Sequence, residues 1–329
     1  MLELLLTALM SPALQDVPPV YPQAELASPR VQLTVYLPDA RAGYYRGTRF
    51  DWSGAIASLR WQGHEYFGPW FDRHDPLLHD GITGPVEEFQ AGDSSVGYAE
   101  APVGGTFVRI GVGHVRKPDE PAYRRFSTYE IVDGGTWTVE RGPQSLTFVH
   151  TLAEGGGYAY VYRKTLRLDG DTLVLDHALT NTGRKRIDTS VYNHNFFTLD
   201  RQPTASPIVV RFPFEPKATR AIAPLAGITG RDLRFSRALA PRETVFTEID
   251  GFGTTATDYD FTLLHQDTKA AVRIRGDRPL TALVFWSAAR TVCPEPYVDA
   301  SVDPGKTTTW RIKGRGEKSQ GRQGTRDKA

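Results

Sequence analysis

Two segments contain residues whose types suit the transfer of protons. The first, VYNHNFFTLD at 191–200, places His194 among asparagines and aromatic residues. If this segment is a strand, His194 shares one face with Tyr192, whereas Asn193 lies on the other. An imidazole titrates near neutral pH, so His194 is a candidate general acid or base. A core histidine bonded to the backbone is the alternative interpretation.

The second segment, LVFWSAARTVCPEPYV at 283–298, holds a carboxylate between two prolines. Proline restricts its own backbone and that of the residue before it, so Glu295 has a fixed position. A general base requires such fixed placement. An ordinary surface turn is the alternative for this segment. Cys293 lies two residues before Glu295, and the sequence leaves open whether it is a buried apolar residue or a reactive thiol.

Strand patterns that could position these residues dominate the chain from about residue 30 to about residue 314. A hairpin is the clearest of them, because Asp169-Gly170-Asp171 joins two alternating runs over 158–180. No helix longer than about two turns is indicated. The sequence therefore predicts an all-β fold, one large antiparallel sandwich. β-branched and aromatic residues mark the other strands, at 31–37, 106–112, 136–140, 145–152, 208–214, 261–265, 270–274, 280–285 and 307–312.

The two ends of the chain differ from this domain. Residues 1–10 read MLELLLTALM and precede Ser11-Pro12-Ala13, which resembles a secretory signal without its positive start. Four prolines in 14–29 predict a linker or an extended arm. We expect an export segment plus linker over 1–29, a domain over 30–314 and a disordered basic tail over 315–329. Export to the periplasm or the extracellular space is one expectation, and a cytoplasmic protein is the other.

Composition excludes several classes of function. The 329 residues carry 39 Lys and Arg against 38 Asp and Glu, so the positive surplus that nucleic-acid binding needs is missing. One cysteine excludes an internal disulfide and a Cys-based zinc cluster. The sequence contains no run of 18 apolar residues, so it predicts no helix that spans a membrane. Motifs of NTPases, serine hydrolases and dinucleotide-binding proteins are absent. The histidines and aspartates at 72–80 lack the spacing of a metal site, and we expect a polar surface loop there.

Five motifs, in order along the chain, resemble those of the aldose 1-epimerase (galactose mutarotase-like) superfamily. GAIASL at 54–59 is similar to an early hairpin, and HALTN at 177–181 to a strand end that precedes the family's histidine. NHNFFTL at 193–199 resembles the N-H-x-Y/F-F-x-L motif. CPEPY at 293–297 resembles the segment that bears the catalytic glutamate in distant branches. DPG at 303–305, followed by a tryptophan, is similar to the closing turn and last strand.

The resemblance implies a β-supersandwich with a sugar-binding cleft and an isomerase (mutarotase) activity on a small sugar. It implies that His194 is the general acid and Glu295 the general base. In that chemistry the carboxylate removes the proton of the anomeric hydroxyl and the imidazolium protonates the ring oxygen. The opened ring then recloses on its other face. The resemblance implies no cofactor and no metal, and it leaves the sugar and the oligomeric state undetermined.

The chain departs from the family where the sugar is held. Typical members have a G-R-x-A-N-R segment, whereas 84–89 reads GPVEEF, with carboxylates. We expect Asn193, Arg49 and Trp52 to contact the sugar instead, the last as a stacking surface. If Arg49 lines the cleft, acidic or phosphorylated sugars are favoured.

Two other classes of protein stay open. The loss of the usual sugar contacts favours a non-catalytic carbohydrate-binding protein on the same fold. A glycoside-cleaving or lyase-type enzyme would need a second carboxylate about 5–10 Å from Glu295, for which Glu87 and Glu88 are candidates. An H-G-G histidine of the family has no clear counterpart, although His79 or His114 could replace it.

Overall fold

The structure is a computed structural model that describes residues 20–317. The expected export segment falls largely on 1–19, and the expected tail largely on 318–329, which lie outside the described residues. No helix among the described residues is long and apolar enough to cross a membrane. Helical structure in this range is limited to two 3₁₀ turns, Leu199–Arg201 and Ala256–Asp258.

Strands account for the rest of the regular structure, and every pairing between them is antiparallel. Numbered in chain order, they are β1 Gln23–Ala27, β2 Val31–Tyr36, β3 Ile56–Trp61, β4 His64–Glu65, β5 Val86–Gln90, β6 Thr106–Arg109, β7 Gly113–Arg116, β8 Ile131–Asp133, β9 Thr136–Gly142, β10 Ser145–Gly155, β11 Tyr158–Asp169, β12 Thr172–Asn181, β13 Ser190–His194, β14 Ile208–Arg211, β15 Lys217–Ala218, β16 Ala226–Thr229, β17 Asp232–Phe235, β18 Val245–Asp250, β19 Asp260–His265, β20 Ala271–Gly276, β21 Ala282–Ala288, β22 Thr291–Asp299 and β23 Thr307–Gly316.

Two large sheets pack face to face and confirm the predicted all-β sandwich. One has ten strands in the order β16-β17-β14-β19-β20-β23-β12-β11-β10-β9, and the other has six in the order β15-β18-β21-β22-β13-β5. Phe89 of β5 lies 5.3 Å from the ring of Tyr162 in β11 and 6.0 Å from that of Trp310 in β23. Apolar residues of both inner faces form one continuous core. Two smaller sheets have the strand orders β1-β2-β3-β4 and β6-β7-β8.

The structure corrects three boundaries expected from sequence. Residues 23–27, expected to be part of a linker, form β1 because buried Ala24 and Leu26 alternate with exposed neighbours. The expected single strand 106–112 is two strands, since Gly111 has a φ of +81° and the chain turns back as β7. The last strand continues to Gly316, beyond the expected domain end at 314.

A second apolar core covers the outer face of the six-stranded sheet. Side chains of β13 and β22 pack there against segments that precede and follow β6 and β7. Its members include Phe50 and Ile82 from the covering segments, Phe107 of β6, and Tyr192 and Phe196 from the sheet side. The six-stranded sheet is therefore buried on both faces, so a polar side chain on either face must find a partner inside the protein.

A buried ionic cluster joins the two large sheets. Lys164 of β11 pairs with Glu87 of β5, and both side chains are fully buried. His177 Nε2 and Asn193 Nδ2 each lie 2.9 Å from Glu87 Oε1. Burial opposes ionisation of Glu87, but Lys164 and His177 outweigh it and lower its pKa to about 2. The cluster therefore fixes β5 and β13 against β11 and β12.

Removing one member of this cluster should destabilise the fold strongly. We expect Lys164→Met to lower the free energy of unfolding by about 3–5 kcal/mol, because the buried Glu87 would lose the lysine charge and keep only His177 and Asn193 as partners. Lys164→Met combined with Glu87→Gln should cost less than the two single changes added together. Urea unfolding measures these differences. The exposed Lys306→Met is the matched control, and a Lys164→Met protein as stable as this control would contradict the role of the cluster.

Candidate active site

His194 and Glu295 meet on the outer face of the six-stranded sheet. In the register of β13 and β22, Tyr192 lies opposite Tyr297, and their rings stack at 4.4 Å. Two residues further along each strand, on the same face, His194 Nε2 lies 3.2 Å from Glu295 Oε1. Only 3% of His194 and 4% of Glu295 are exposed. The strand alternation thus places Tyr192 and His194 together, as predicted, and adds a carboxylate from the neighbouring strand.

The two prolines around Glu295 lie inside a central strand and not in a surface turn. β22 pairs with β21 along its length and with β13 at Tyr192–Tyr297 and again at Phe197–Val292. Pro294 and Pro296 lie between these two points, and a proline has no N–H to donate to a ladder. Asn195 replaces part of the missing ladder, since its Nδ2 donates to the carbonyl oxygen of Pro294 at 2.6 Å.

Aromatic rings surround the imidazole. Phe196 stacks on the ring of His194 at 3.7 Å, and Phe50 and Trp286 approach it edge-on at 5.5 Å and 5.7 Å. Nδ1 of His194 is buried and has no hydrogen-bond partner among the described residues. Within the described residues, His194 is therefore not the core histidine bonded to the backbone that the sequence left open.

Burial sets the protonation of the pair. Burial, followed by the positive charge of Arg49, lowers the pKa of His194 well below its usual value. Burial raises the pKa of Glu295 to about 8, although Arg49 and Arg125 act in the opposite direction. At neutral pH the pair therefore carries one proton, which rests on the carboxyl group while the imidazole is neutral.

Glu88 anchors a cluster of arginines beside the pair. Arg49 Nε donates to its carboxylate at 2.8 Å, Arg125 donates twice at 2.9 Å, and Arg109 Nη1 lies 3.7 Å away. The hydroxyl of Tyr192 donates to the same carboxylate at 2.5 Å. Burial opposes ionisation of Glu88, but Arg49 and Arg125 outweigh it and hold its pKa below the usual range. Three cations around one carboxylate make this side of the site electropositive.

Of the three residues expected to contact substrate, only Arg49 reaches this cluster. It also pairs with Asp80, and 6% of its side chain is exposed. Trp52 packs in the second core and donates its Nε1–H to the carbonyl oxygen of Gly47 at 2.8 Å, so it offers no open stacking surface. Asn193 points to the opposite face of the sheet, where it binds Glu87.

The other candidate histidines and carboxylates lie in different parts of the structure. His79 lies at the rim, with Nε2 3.3 Å from Asp80. His114 lies in β7, where Nε2 binds the carbonyl oxygen of Ala153 at 3.0 Å. Of the two candidate carboxylates, Glu88 lies on the side of the pair but is held by arginines, and Glu87 lies on the other face of the sheet.

Sequence reasoning missed Arg125 and the two tyrosines as members of the site. Arg125 comes from the irregular segment 117–130, between β7 and β8, and 32% of its side chain is exposed. Nothing in a local pattern predicts where such a segment crosses a sheet. Tyr192 and Tyr297 had a signal, because each lies two residues from a catalytic candidate and strands alternate.

The loop at 72–80 and Cys293 are the two other features that the sequence singled out. No group of three or more His, Cys, Asp or Glu within 20–317 is arranged to hold a metal ion. In the loop at 72–80, His74 stacks on Tyr44 at 4.0 Å, and its Nδ1 lies 2.9 Å from the hydroxyl of Tyr21. Cys293 is fully buried, and burial raises the pKa of its thiol well above the usual value.

Solved structures share this fold at low sequence identity. A GalM/aldose epimerase homologue from C. elegans is 14% identical, with a TM-score of 0.57 over 91% of this chain and 99% of its own. A galactose mutarotase-like protein from Clostridium acetobutylicum is 13% identical, with a TM-score of 0.56 over 89% and 94%. One from Lactobacillus casei is 12% identical, with a TM-score of 0.55 over 90% and 100%.

No family model and no curated protein sequence matches the chain. The chain has the galactose mutarotase-like sandwich fold, and the resemblance seen in its motifs is confirmed at the level of the fold.

The raised pKa of Glu295 makes stability depend on pH in a defined direction. The carboxyl holds its proton to about pH 8 in the folded chain, against an ordinary value of 4.5. Its contribution is therefore full below pH 4.5 and is lost as the pH rises towards 8. We expect the stability of the wild type relative to Glu295→Gln to fall across this window, as measured by urea unfolding at several pH values. The exposed Glu130→Gln should show no such trend, and parallel curves for both variants would contradict the assignment.

Proposed function

We propose that the protein is an aldose 1-epimerase-like isomerase that interconverts the anomers of a sugar. The observation that carries the proposal is the buried pair of His194 and Glu295, with 3.2 Å between Nε2 and Oε1, on a galactose mutarotase-like fold. Ring opening needs one group that gives a proton to the ring oxygen and one that takes a proton from the anomeric hydroxyl. A pair that holds one proton at neutral pH meets both needs.

The general acid and the general base are assigned to the two members of the pair. The family resemblance assigns the acid role to His194 and the base role to Glu295. In the unliganded site the proton rests on Glu295, so this assignment requires its transfer to His194 when the sugar binds. Arg49 and Arg125 favour that transfer at the carboxylate, because positive charge stabilises the ionised form of Glu295. Each proton transfer contributes about 10²–10⁴-fold to the rate.

The arginines beside the pair favour an acidic or phosphorylated sugar. Arg125 is the most exposed of the three around Glu88, and its guanidinium lies 5.4 Å from the centre of the Tyr192 ring. A guanidinium presents paired N–H groups that suit carboxylate and phosphate. We expect substrates with such a group to have lower KM values than their neutral counterparts.

The arrangement disfavours glycoside cleavage. That chemistry requires two carboxyl groups about 5–10 Å apart, one of them free to act as nucleophile or base. Glu88 is committed to arginines and to the Tyr192 hydroxyl, and Glu87 is held by Lys164 on the other face. A non-catalytic sugar-binding protein is the remaining alternative, since both members of the pair are almost fully covered.

Single substitutions of the pair test the isomerase. We expect His194→Gln and Glu295→Gln each to slow anomer exchange by about 10²–10⁴-fold, because each removes one proton transfer. Exchange is measured by NMR at low temperature on neutral, acidic and phosphorylated sugars. His64→Gln and Glu130→Gln, both outside the site, are the matched controls. Wild-type rates in both site variants would refute the proposal, and binding of a sugar without any acceleration would establish the binding protein instead.

The wild-type enzyme should also respond to pH in a way that reports the shared proton. Above about pH 8 the pair loses its only proton, so kcat/KM should fall about tenfold per pH unit. Below the usual histidine range the pair gains a second proton and loses its base. A bell-shaped profile measured by NMR exchange is the expected result. A rate that stays constant from pH 7 to about pH 10 would contradict a role for the Glu295 proton.

A further inference from the structure

The outer face of the ten-stranded sheet carries like charges directly opposite each other. In the register of β20 and β23, Arg273 lies opposite Arg315, and Arg275 lies opposite Lys313. Both strands turn these side chains outward, because the alternate positions Ile274 and Ile312 are buried. Like charges at directly opposed positions destabilise a sheet. The fold retains two such pairs next to each other.

Acidic neighbours neutralise these cations only in part. Asp260 of β19 accepts from Arg273 at 2.6 Å and from Arg275 at 3.1 Å, and Glu317 lies 3.9 Å from Arg273, so two carboxylates face the four cations of these two strands. Lys313 and Arg315 form no ion pair with an acidic residue within 20–317. Side chains of Arg273 and Arg275 remain 38% and 53% exposed, which leaves N–H groups available to a ligand.

One aspartate between two arginines is an arrangement that this face repeats. Asp176 of β12 pairs with Arg167 of β11 and Arg311 of β23. At the other end, Asp232 of β17 pairs with Arg211 of β14 and with Arg234 of its own strand. With strands about 4.8 Å apart, the row from β17 to β11 extends about 29 Å. The excess of positive charge is local, because the whole chain carries 39 basic and 38 acidic residues.

Hydroxyl groups lie within the same rows. Thr262 of β19 is in register between Arg211 on one side and Arg273 on the other. Thr309 is exposed on β23, two residues from Arg311. Hydroxyls beside guanidinium groups can bind the hydroxyls and the acidic groups of one sugar unit.

We propose that this face binds an acidic polysaccharide, a linear sugar polymer with carboxylate groups. Arginines held by a shared aspartate are pre-oriented, and each can take a carboxylate with two parallel hydrogen bonds. The polymer would also relieve the repulsion between Arg273 and Arg315 and between Arg275 and Lys313. The binding is separate from the chemistry of His194 and Glu295 and does not depend on it.

Two features of the face favour this polymer over nucleic acid. Its outward positions on β11, β12, β14, β17, β19, β20 and β23 carry no aromatic side chain on which bases could stack. The aspartates dilute the positive charge, whereas duplex DNA presents one phosphate per about 1.7 Å. In an acidic polysaccharide one sugar ring separates successive charges, so its charge density is lower than that of duplex DNA.

A double charge reversal at the unpaired cations tests the proposal. We expect Lys313→Glu with Arg315→Glu to weaken binding of the full-length chain to polygalacturonate at least tenfold, as measured by affinity electrophoresis at low salt. The melting temperature should stay equal or rise, because each glutamate would face an arginine across the strands. Arg41→Glu with Lys217→Glu is the matched control, since both cations are exposed and lie outside this face. Wild-type binding should weaken as salt increases.

Other outcomes overturn the assignment. Equal loss of binding in both double variants would show attraction by net charge and no site on this face. Tighter binding of duplex DNA than of polygalacturonate at the same salt concentration would make the face a nucleic-acid surface. Binding to vesicles with anionic lipids, without binding to polygalacturonate, would make it a membrane surface. Anomer exchange by the charge-reversed protein separates these results from a failure of the isomerase proposal.

Discussion

Alternation of side chains along two neighbouring strands organises the interior of this protein. On β5, Glu87 and Glu88 are adjacent in sequence but point to opposite faces of the six-stranded sheet, and on β13 the same holds for Asn193 and His194. Because both faces are covered by apolar cores, each of these groups needs an internal partner. The inner face supplies Lys164, and the outer face supplies arginines. A slip of one residue in either strand would exchange the two sets and leave both unpaired.

The same constraint explains why the candidate pair differs from its surroundings. Glu87 and Glu88 are ionised because cations contact them directly. Glu295 has no such contact and faces an imidazole at 3.2 Å, so burial keeps its proton in place. A protonated carboxyl beside a neutral imidazole is a poor stabilising interaction but a suitable arrangement for moving a proton. The stable ionic clusters on either side hold it in position.

This chain shares its fold with proteins of only 12–14% sequence identity, because the fold requires little of the sequence. A sandwich needs apolar residues at alternate positions, and many sequences satisfy that requirement. Polar contacts around the pair are more specific, and this chain builds them from Glu88, Arg49 and Arg125, where typical galactose mutarotases have an arginine-rich segment before the histidine. The comparisons therefore show the fold alone, and the proposed activity rests on the buried pair and the arginines beside it.

How much could be predicted from the sequence depends on the range of each interaction. Alternation and turn residues predicted the strands, and above all the β11–β12 hairpin, because these are local properties. Two motifs indicated His194 and Glu295, and strand periodicity placed Tyr192 on the face of His194. Periodicity also places Asn193 on the opposite face, which argues against its expected contact with the substrate.

Only the tertiary structure decided which segments meet. The pairing of β5 with β13, about a hundred residues further along the chain, places Glu88 beside Tyr192 on the face of His194. Arg125 arrives on an irregular segment with no periodic signal. Long-range pairing of this kind depends on the sum of many weak contacts, which no single motif reports. The sequence by itself thus determined the strands and the chemical types at the site. Packing decided which face each group occupies, and burial decided where the proton rests.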